Sequence, residues 1–530
     1  MKTINRFDIS LIIVAAIIIM AFYPAPVAIG QMENQNSDSD EEILARGPVH
    51  EAFAQPGTYE AAKGVAVKKE PPKAIEEIPP LEKPEGDNVT WISGYWSWDE
   101  ERDDYIWISG VWRIPPPGNS WVPGYWAFDH GEWRWTVGFW MSSESSEVEY
   151  LPTPPESLEI GPSSSPPSND HIWSPGCWVW SGSYAWRPGY WIEARSDWVW
   201  HPAHYVWTVR GCVFVDGYWD FAIERRGVLF APVYFHRRVR PRRYRVYTPS
   251  IVIQTSFLTA SFFFSSHHHH FFFGDYYGDA YFRMGYHPWY AIHGRHRGYD
   301  PIFLHQRWHH RRTDRNWEKR LRDDYDYRRK HEEARPARTW SSQAGGEKRK
   351  EDKKHKDIVL AAPLEKVSKE KGGTIRFQKM DEEKRKTYSG MGKDLARLRE
   401  EREKKEKSSA GKNISEPQKI KFSRSPVFGQ KPIGDPGREG MPPGRPDAAG
   451  RDSIIHGKPT PTKGDSRERT IGPDTHSEQK PTEGKSKTPS DSGKPPENRE
   501  KEPQSREKSR ESREQNKESK GKSGDKGKNK

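Results

Sequence analysis

Two stretches, Trp121-Val122-Pro123-Gly124-Tyr125-Trp126 and Trp135-Thr136-Val137-Gly138-Phe139-Trp140, decide how this chain is read. The same spacing, Trp-x-x-Gly-x-Trp, occurs at residues 91–96, 107–112, 173–178 and 186–191. A degenerate copy, Phe214-Val215-Asp216-Gly217-Tyr218-Trp219, ends the series. Within the blocks 91–140 and 173–191, successive copies start 13 to 16 residues apart, which suits one strand and one turn each. Trp, Tyr, Val and Ile favour strands, while Asp129-His130-Gly131-Glu132 and residues 115–119 supply turns. The expected fold is mainly β: an antiparallel meander of Trp-rich repeats, followed by a short helix and long disordered segments. Trp133 and Trp135 share one face of a strand, whereas Trp140 falls on the other. A one-residue bulge at Gly138 would return Trp140 to the first face. The alternative makes Pro123-Gly124 and its equivalents tight two-residue turns.

The units WISGYW (91–96), WISGVW (107–112), WVPGYW (121–126) and WRPGYW (186–191), with Tyr105-Ile106-Trp107 ahead of one of them, resemble the YXWGXW (Trp-rich WxxGxW) repeats of exported bacterial proteins. The resemblance covers roughly residues 88–220. It implies an envelope or surface location and carries no catalytic residues across.

Of the 23 tryptophans, 19 lie between Trp91 and Trp219, so folding is expected to concentrate there. From Ser341 onward the only aromatics are Phe377, Tyr388, Phe422 and Phe428, a composition too poor in apolar surface to offset chain entropy. This predicts a disordered Pro/Glu-rich linker at 31–87 and a Trp-repeat β domain at 88–235 containing a Ser/Pro-rich linker at 141–172. Beyond it come a basic, His- and aromatic-rich β-like region at 236–300, a charged helix at 301–338 and a disordered charged tail at 339–530, within which Asp394–Lys407 is read as a short charged helix. Residues 91–235 hold 8 basic against 18 acidic side chains, net −10, and residues 236–338 hold 21 against 10, net +11. An acidic repeat region therefore precedes a basic middle, and the two halves either attract each other or the second grips an anionic polymer.

The N-terminus reads as a signal peptide over 1–30. Lys2 and Arg6 precede an apolar core of 12 residues, Leu11 to Phe22, and Ala28-Ile29-Gly30 offers small residues for cleavage before Gln31. That core is too short to span a bilayer, so no transmembrane helix is expected after cleavage. The expected location is the periplasm, cell surface or extracellular space. There, Cys177 and Cys212, the only cysteines, are expected to join as a disulfide.

Most Trp side chains are expected in the core. If one face stays exposed, Trp96, Trp98, Trp126, Trp133, Trp135 and Trp191 are the candidates for stacking on sugar rings, rimmed by Asp99-Glu100-Glu101 and Asp103-Asp104. Arg237, Arg238, Arg240, Arg242, Arg243 and Arg245 form an arginine run suited to an acidic glycan, a lipid headgroup or nucleic acid, the last being the weakest of the three given export and not expected. His267, His268, His269 and His270 are candidate metal ligands, although four consecutive histidines do not all face one ion and no carboxylate lies at ligand spacing nearby. His305 and His309, one helical turn apart, are a weaker metal signal.

No metalloprotease, phosphate-loop, serine-elbow or Cys-x-x-Cys motif is present. The reading is therefore a non-catalytic exported envelope protein without cofactor, its repeats contacting envelope polysaccharide or an envelope protein. A metal-binding envelope protein acting through the His-rich middle and an unrecognised glycan hydrolase are the alternatives.

Overall fold

The computed structural model describes residues 41–236, 246–292, 298–346, 357–370, 372–408 and 414–430. The expected signal peptide and the arginine run Arg237–Arg245 lie outside the described residues. The described chain is mainly β and, but for one short parallel pair, its strands pair antiparallel.

The repeats pair two by two. Trp91 faces Trp112 and Trp96 faces Trp107 across one two-stranded ribbon (90–113), whose register is unchanged from one end to the other. The second ribbon (119–142) pairs Trp121 with Trp140 and Trp126 with Trp135, and the third (171–193) pairs Trp173 with Trp191 and Trp178 with Trp186. A fourth (198–221) pairs Trp200 with Trp219 and Tyr205 with Phe214. It contains a unit that the Trp-x-x-Gly-x-Trp pattern misses, Trp200-His201-Pro202-Ala203-His204-Tyr205. The facing rings lie 5.0–5.5 Å apart, tilted or edge to face, the arrangement that aromatic quadrupoles favour.

Constant register corrects both expectations for the glycine. A bulge would add one residue to one strand, and none is added. The hairpin turns lie elsewhere, as at Asp129–Glu132, so Pro123-Gly124 is no turn. Instead both strands leave the ladder at the same level for two residues, such as Ser93-Gly94 opposite Ser109-Gly110, and then resume. The ribbon kinks there, and the two Trp of one unit, five residues apart, enter different clusters. Trp91 and Trp112 pack with Val228, Phe230 and Leu364, whereas Trp96 and Trp107 pack with Trp126, Trp135 and Val233.

The kink explains the glycine. A Cβ on Gly124 would meet Trp135 Cζ2 at 2.6 Å and Thr136 O at 2.7 Å. On Gly138 it would meet Trp121 Cζ2 at 2.5 Å, on Gly189 Trp173 Cζ2 at 2.3 Å, and on Gly217 Trp200 Cζ2 at 2.5 Å. Each glycine lies beneath the first Trp of the partner unit. None of these four has a positive φ, so the requirement is space and not backbone angle. The fourth ribbon keeps the rule by its exception: where Ala203 replaces glycine, the partner unit begins with the smaller Phe214.

Around these ribbons other described segments close in. Gly227–Phe230 adds to Val111–Arg113 and Val233–Phe235 adds to Asp104–Ile108, so the first ribbon's two halves belong to two sheets. Arg113 reaches Asp220 at 2.6 Å in a fully buried ion pair that ties the first ribbon to the fourth. The linker expected at 31–87 is structured over its described part: Val49, Phe53, Val65 and Val67 are buried, and Ala66–Val67 joins a sheet with the second ribbon. Residues 382–407 of the expected tail form a helix (Glu382–Lys407) that buries Leu395, Leu398 and Arg402. The charged helix begins where expected, with Asp300 accepting the Phe303 N–H at 2.8 Å, but it divides into Pro301–Thr313 and Trp317–Lys330. It buries Ile302, Phe303, Trp308 and Tyr325. Cys177 and Cys212 are buried free thiols, not the expected disulfide. Cys177 faces Arg187, whose Nη2 lies 3.2 Å from its sulfur, while Cys212 sits between Leu151 and Trp207.

Gly124→Ala is expected to destabilise the protein by about 1–3 kcal/mol through overpacking against Trp135. Gly390, inside the 382–407 helix with open space at its Cβ position, is the control. Gly390→Ala is expected to be neutral or to stabilise by up to about 1 kcal/mol. Chemical denaturation of the two variants checks the contrast.

Candidate functional site

Two residues outside the ladder on each strand leave backbone N–H and C=O groups without partners, and buried groups of this kind must be satisfied elsewhere. Side chains from distant segments supply the partners. Glu77 accepts from Gly94 N at 2.7 Å, Gly110 N at 2.9 Å and the Trp107 indole N–H at 3.1 Å. Glu51 accepts from Trp135 Nε1 at 2.6 Å and Gly138 N at 2.9 Å. Glu159 accepts from Trp173 Nε1 at 3.1 Å and Gly176 N at 2.5 Å. In all three ribbons, one carboxylate bridges the first Trp indole and the Gly N–H of the same unit.

The carbonyl side is filled by arginines and an amide. From the 382–407 helix, Arg399 donates to Gly124 O at 2.9 Å, and Arg402 donates to Pro123 O at 2.9 Å and Val137 O at 3.0 Å. Gln55 donates to Gly138 O at 2.9 Å. Arg402 is itself held by Glu406, 2.7 Å away, which also accepts from Tyr125 and Tyr150. These partners explain why the linker and the tail helix are ordered.

Two of the carboxylates, Glu77 and Glu159, arrive on extended Pro-Pro segments. Along the first ribbon, Tyr105 Oη donates to Lys69 O at 2.7 Å and Trp96 Nε1 to Lys73 O at 2.9 Å, and the segment Pro71-Pro72-Lys73-Ala74-Ile75-Glu76-Glu77 then delivers its carboxylate to the socket. Along the third ribbon, the equivalent Tyr184 Oη donates to Pro152 O and Trp178 Nε1 to Glu156 O at 3.0 Å. There the segment is Pro154-Pro155-Glu156-Ser157-Leu158-Glu159. Two segments with the same Pro-Pro placement are thus read by the same Tyr, Trp and Gly positions.

The ribbons differ in exposure. All five Trp of the first ribbon are buried, whereas Trp173, Trp178, Trp180, Trp186 and Trp191 of the third are each only half-buried. Both halves of the third ribbon remain two-stranded, with no further strand at their edges among the described residues. Its clasped segment is itself exposed: Leu158 is 57% and Ile160 100% accessible.

Of the proposed stacking residues, Trp96, Trp98, Trp126 and Trp135 are therefore core, at 6–8% exposure, and only Trp133 and Trp191 are half-buried. Trp191 Nε1 donates to Ser164 Oγ at 3.2 Å. Of the histidines, His267 and His268 come together on Glu100. His269 occupies a left-handed turn position with φ 50°, and buried His270 contacts Val49 O at 2.5 Å. His305 contacts Arg195 O and Ser196 O at 3.1 and 3.0 Å and is engaged without His309. Glu51, Glu77, Glu159, Arg399 and Arg402 were not anticipated, and Glu100 was expected only as part of an acidic rim. A Pro-Pro pair shortly ahead of Glu77 and Glu159, with four residues intervening before the first and three before the second, was the one sequence signal available for two of the socket acids, and Glu51 has none.

Residues 86–113, 170–191 and 195–219 match the WXXGXW repeat family, described as two copies of the repeat. The repeats are WXXGXW repeats. Two copies correspond to one ribbon, and the three matches fall on the first, third and fourth. The second ribbon has the same pairing of WXXGXW units without lying in a matched stretch. No curated protein and no solved structure matches the chain.

The socket acids make stability depend on pH. Burial pushes Glu77 and Glu51 up to about 7, outweighing the N–H groups that favour their ionised forms. Unfolded glutamate titrates near about 4.3, so between roughly pH 4.5 and 7 the folded chain binds more protons than the unfolded one. Stability is therefore expected to fall as pH rises through this window. Glu77→Gln keeps an acceptor and removes the ionisation. Urea denaturation at pH 5 and pH 8 should show a smaller loss for Glu77→Gln than for the parent chain, and equal losses would contradict the assignment.

Proposed function

We propose that this is a non-catalytic exported envelope protein whose WXXGXW ribbons hold extended polypeptide, with the third ribbon as the face that contacts a partner. The observation that carries this reading is the third ribbon's combination of half-buried Trp side chains, open sheet edges and an exposed Pro-Pro segment clasped by indole and Gly N–H donors. Pro-rich chain is a low-entropy ligand for aromatic grooves, and a carboxylate in an N–H socket fixes its register. Export is supported by the charged, apolar and small-residue succession of residues 1–30. No helix among the described residues is long and apolar enough to cross a membrane. The aromatic rings of the first two ribbons, Phe128 and Trp133 apart, are spent on the core, which weakens a sugar-stacking role there and favours the third ribbon as the surface for either partner class.

The discriminating experiment replaces 152–159 by a Gly/Ser linker of equal length in the full chain and adds the synthetic peptide Pro-Thr-Pro-Pro-Glu-Ser-Leu-Glu. Saturable quenching or shift of Trp fluorescence is expected in the replaced chain, with a weaker response in the parent, whose own segment competes. A chain that ignores the peptide yet is retained on envelope polysaccharide in high salt, and released by soluble sugar, would transfer the role to glycan binding.

A further inference from the structure

Two hairpin turns far apart in sequence meet tip to tip. One joins Tyr95–Asp99 to Asp104–Ile108 in the first ribbon and carries Glu100. The other joins Phe262–Ser265 to His270–Phe273 and carries His267 and His268. Glu100 Oε1 meets His267 Nδ1 and lies 3.4 Å from His268 Nε2. One ligating atom from each of the three residues lies within 4.8 Å of the others, the one such grouping among the described residues.

The neighbours separate Glu100 from the other acids of its turn. Glu101 is engaged by Arg46, Arg338 and Tyr281, and Asp99 faces Arg102 at 3.5 Å. Glu100 instead points at two imidazoles. The His268 side chain is 6% exposed, and its buried Nε2, 3.4 Å from Glu100 Oε1, makes no well-formed hydrogen bond, so a ligating nitrogen is directed into the group. That ring is fixed by Phe272, edge-on at 5.1 Å, and its backbone N–H by Ser265 Oγ at 3.3 Å. His267, 58% exposed, opens the group to solvent on one side.

We propose that Glu100, His267 and His268 form a binding site for a divalent transition-metal ion of the Zn²⁺ class. Imidazole nitrogens with one carboxylate suit Zn²⁺ and its neighbours and not Mg²⁺ or Ca²⁺, which take oxygen ligands. Ligands about 2.0–2.2 Å from a tetrahedral Zn²⁺ lie roughly 3.4 Å apart, the spacing of His268 Nε2 and Glu100 Oε1. Three protein ligands leave the fourth position, on the His267 side, for water or a donor from another molecule. The ion would also clip the first ribbon to the 262–273 hairpin. The ligand pattern was hidden in the sequence because Glu100 stands 167 residues before His267.

Calorimetric titration of the full chain with ZnCl₂, and separately with MgCl₂, tests this. The wild type is expected to show a Zn²⁺ event absent with Mg²⁺, together with a Zn²⁺-dependent rise in Tm. Glu100→Gln, which is nearly isosteric, and His267→Ala, at an exposed side chain, are each expected to weaken that event by about tenfold or more while the metal-free Tm stays near the wild type's. His269→Ala, outside the group, is expected to leave it unchanged. Absence of the event in the wild type, or equal affinity in Glu100→Gln, His267→Ala and His269→Ala, would overturn the proposal. Neither result bears on peptide or glycan binding by the third ribbon.

Discussion

Backbone groups that leave the ladder at each glycine kink are the constraint on which this structure depends. A two-stranded ribbon that kinks without changing register gains a way to bury both Trp pairs, one on each side. It also strands N–H and C=O groups beneath aromatic rings, where water does not reach them. Leaving each unpaired costs roughly 1–3 kcal/mol, so donors and acceptors must come from elsewhere in the chain. Glu51, Glu77 and Glu159 answer the N–H groups, and Arg399, Arg402 and Gln55 answer carbonyls. The repeats are thus incomplete on their own, and the flanking segments are drawn into order by what the kinks lack.

The same requirement links fold to function. A socket that takes a carboxylate from the chain's own Pro-Pro segment has the donor geometry to take one from another chain. In the first ribbon the segment is sealed in, with Glu77 5% exposed. In the third it lies on the surface, over Trp rings that no third strand covers. One device therefore serves as core in one ribbon and as a candidate surface in the other, the difference being set by how many strands flank it.

Much of this was legible. Strand content, the repeat unit and the turn at Asp129–Glu132 follow from composition and spacing alone, and so does the helix start at Asp300. The role of the glycine was not, because Trp-x-x-Gly-x-Trp places its Trp pair on opposite faces, and either a bulge or a turn restores parity on paper. Only pairing shows that both faces are buried. Residues 41–87 were read as disordered because they are rich in Pro and Glu, and only the end of the 382–407 helix was read as helical because its apolar content is low; the order of both segments draws on Glu51, Glu77, Arg399 and Arg402 meeting groups that a sequence does not show to be unpaired. The eighth unit, Trp200 to Tyr205, escaped because Ala203 breaks the pattern where Phe214 makes room. Glu100 escaped because nothing in sequence joins it to His267 and His268.

The claim that each glycine exists to seat the partner unit's first Trp is tested most directly by a double-mutant cycle. Gly217 is the favourable site, since its Cβ would meet Trp200 Cζ2 at 2.5 Å but the nearest backbone oxygen only at 3.2 Å. Unfolding free energies of Gly217→Ala, Trp200→Leu and the double variant give the coupling, and Gly217→Ala with Trp173→Leu, in another ribbon, gives the reference. Gly217→Ala is expected to cost less once Trp200 is Leu, with a coupling of about 0.5–3 kcal/mol, and the reference pair is expected to add within about 0.5 kcal/mol. Additivity in both cycles would mean that the glycine is required by its own backbone and not by the ring above it.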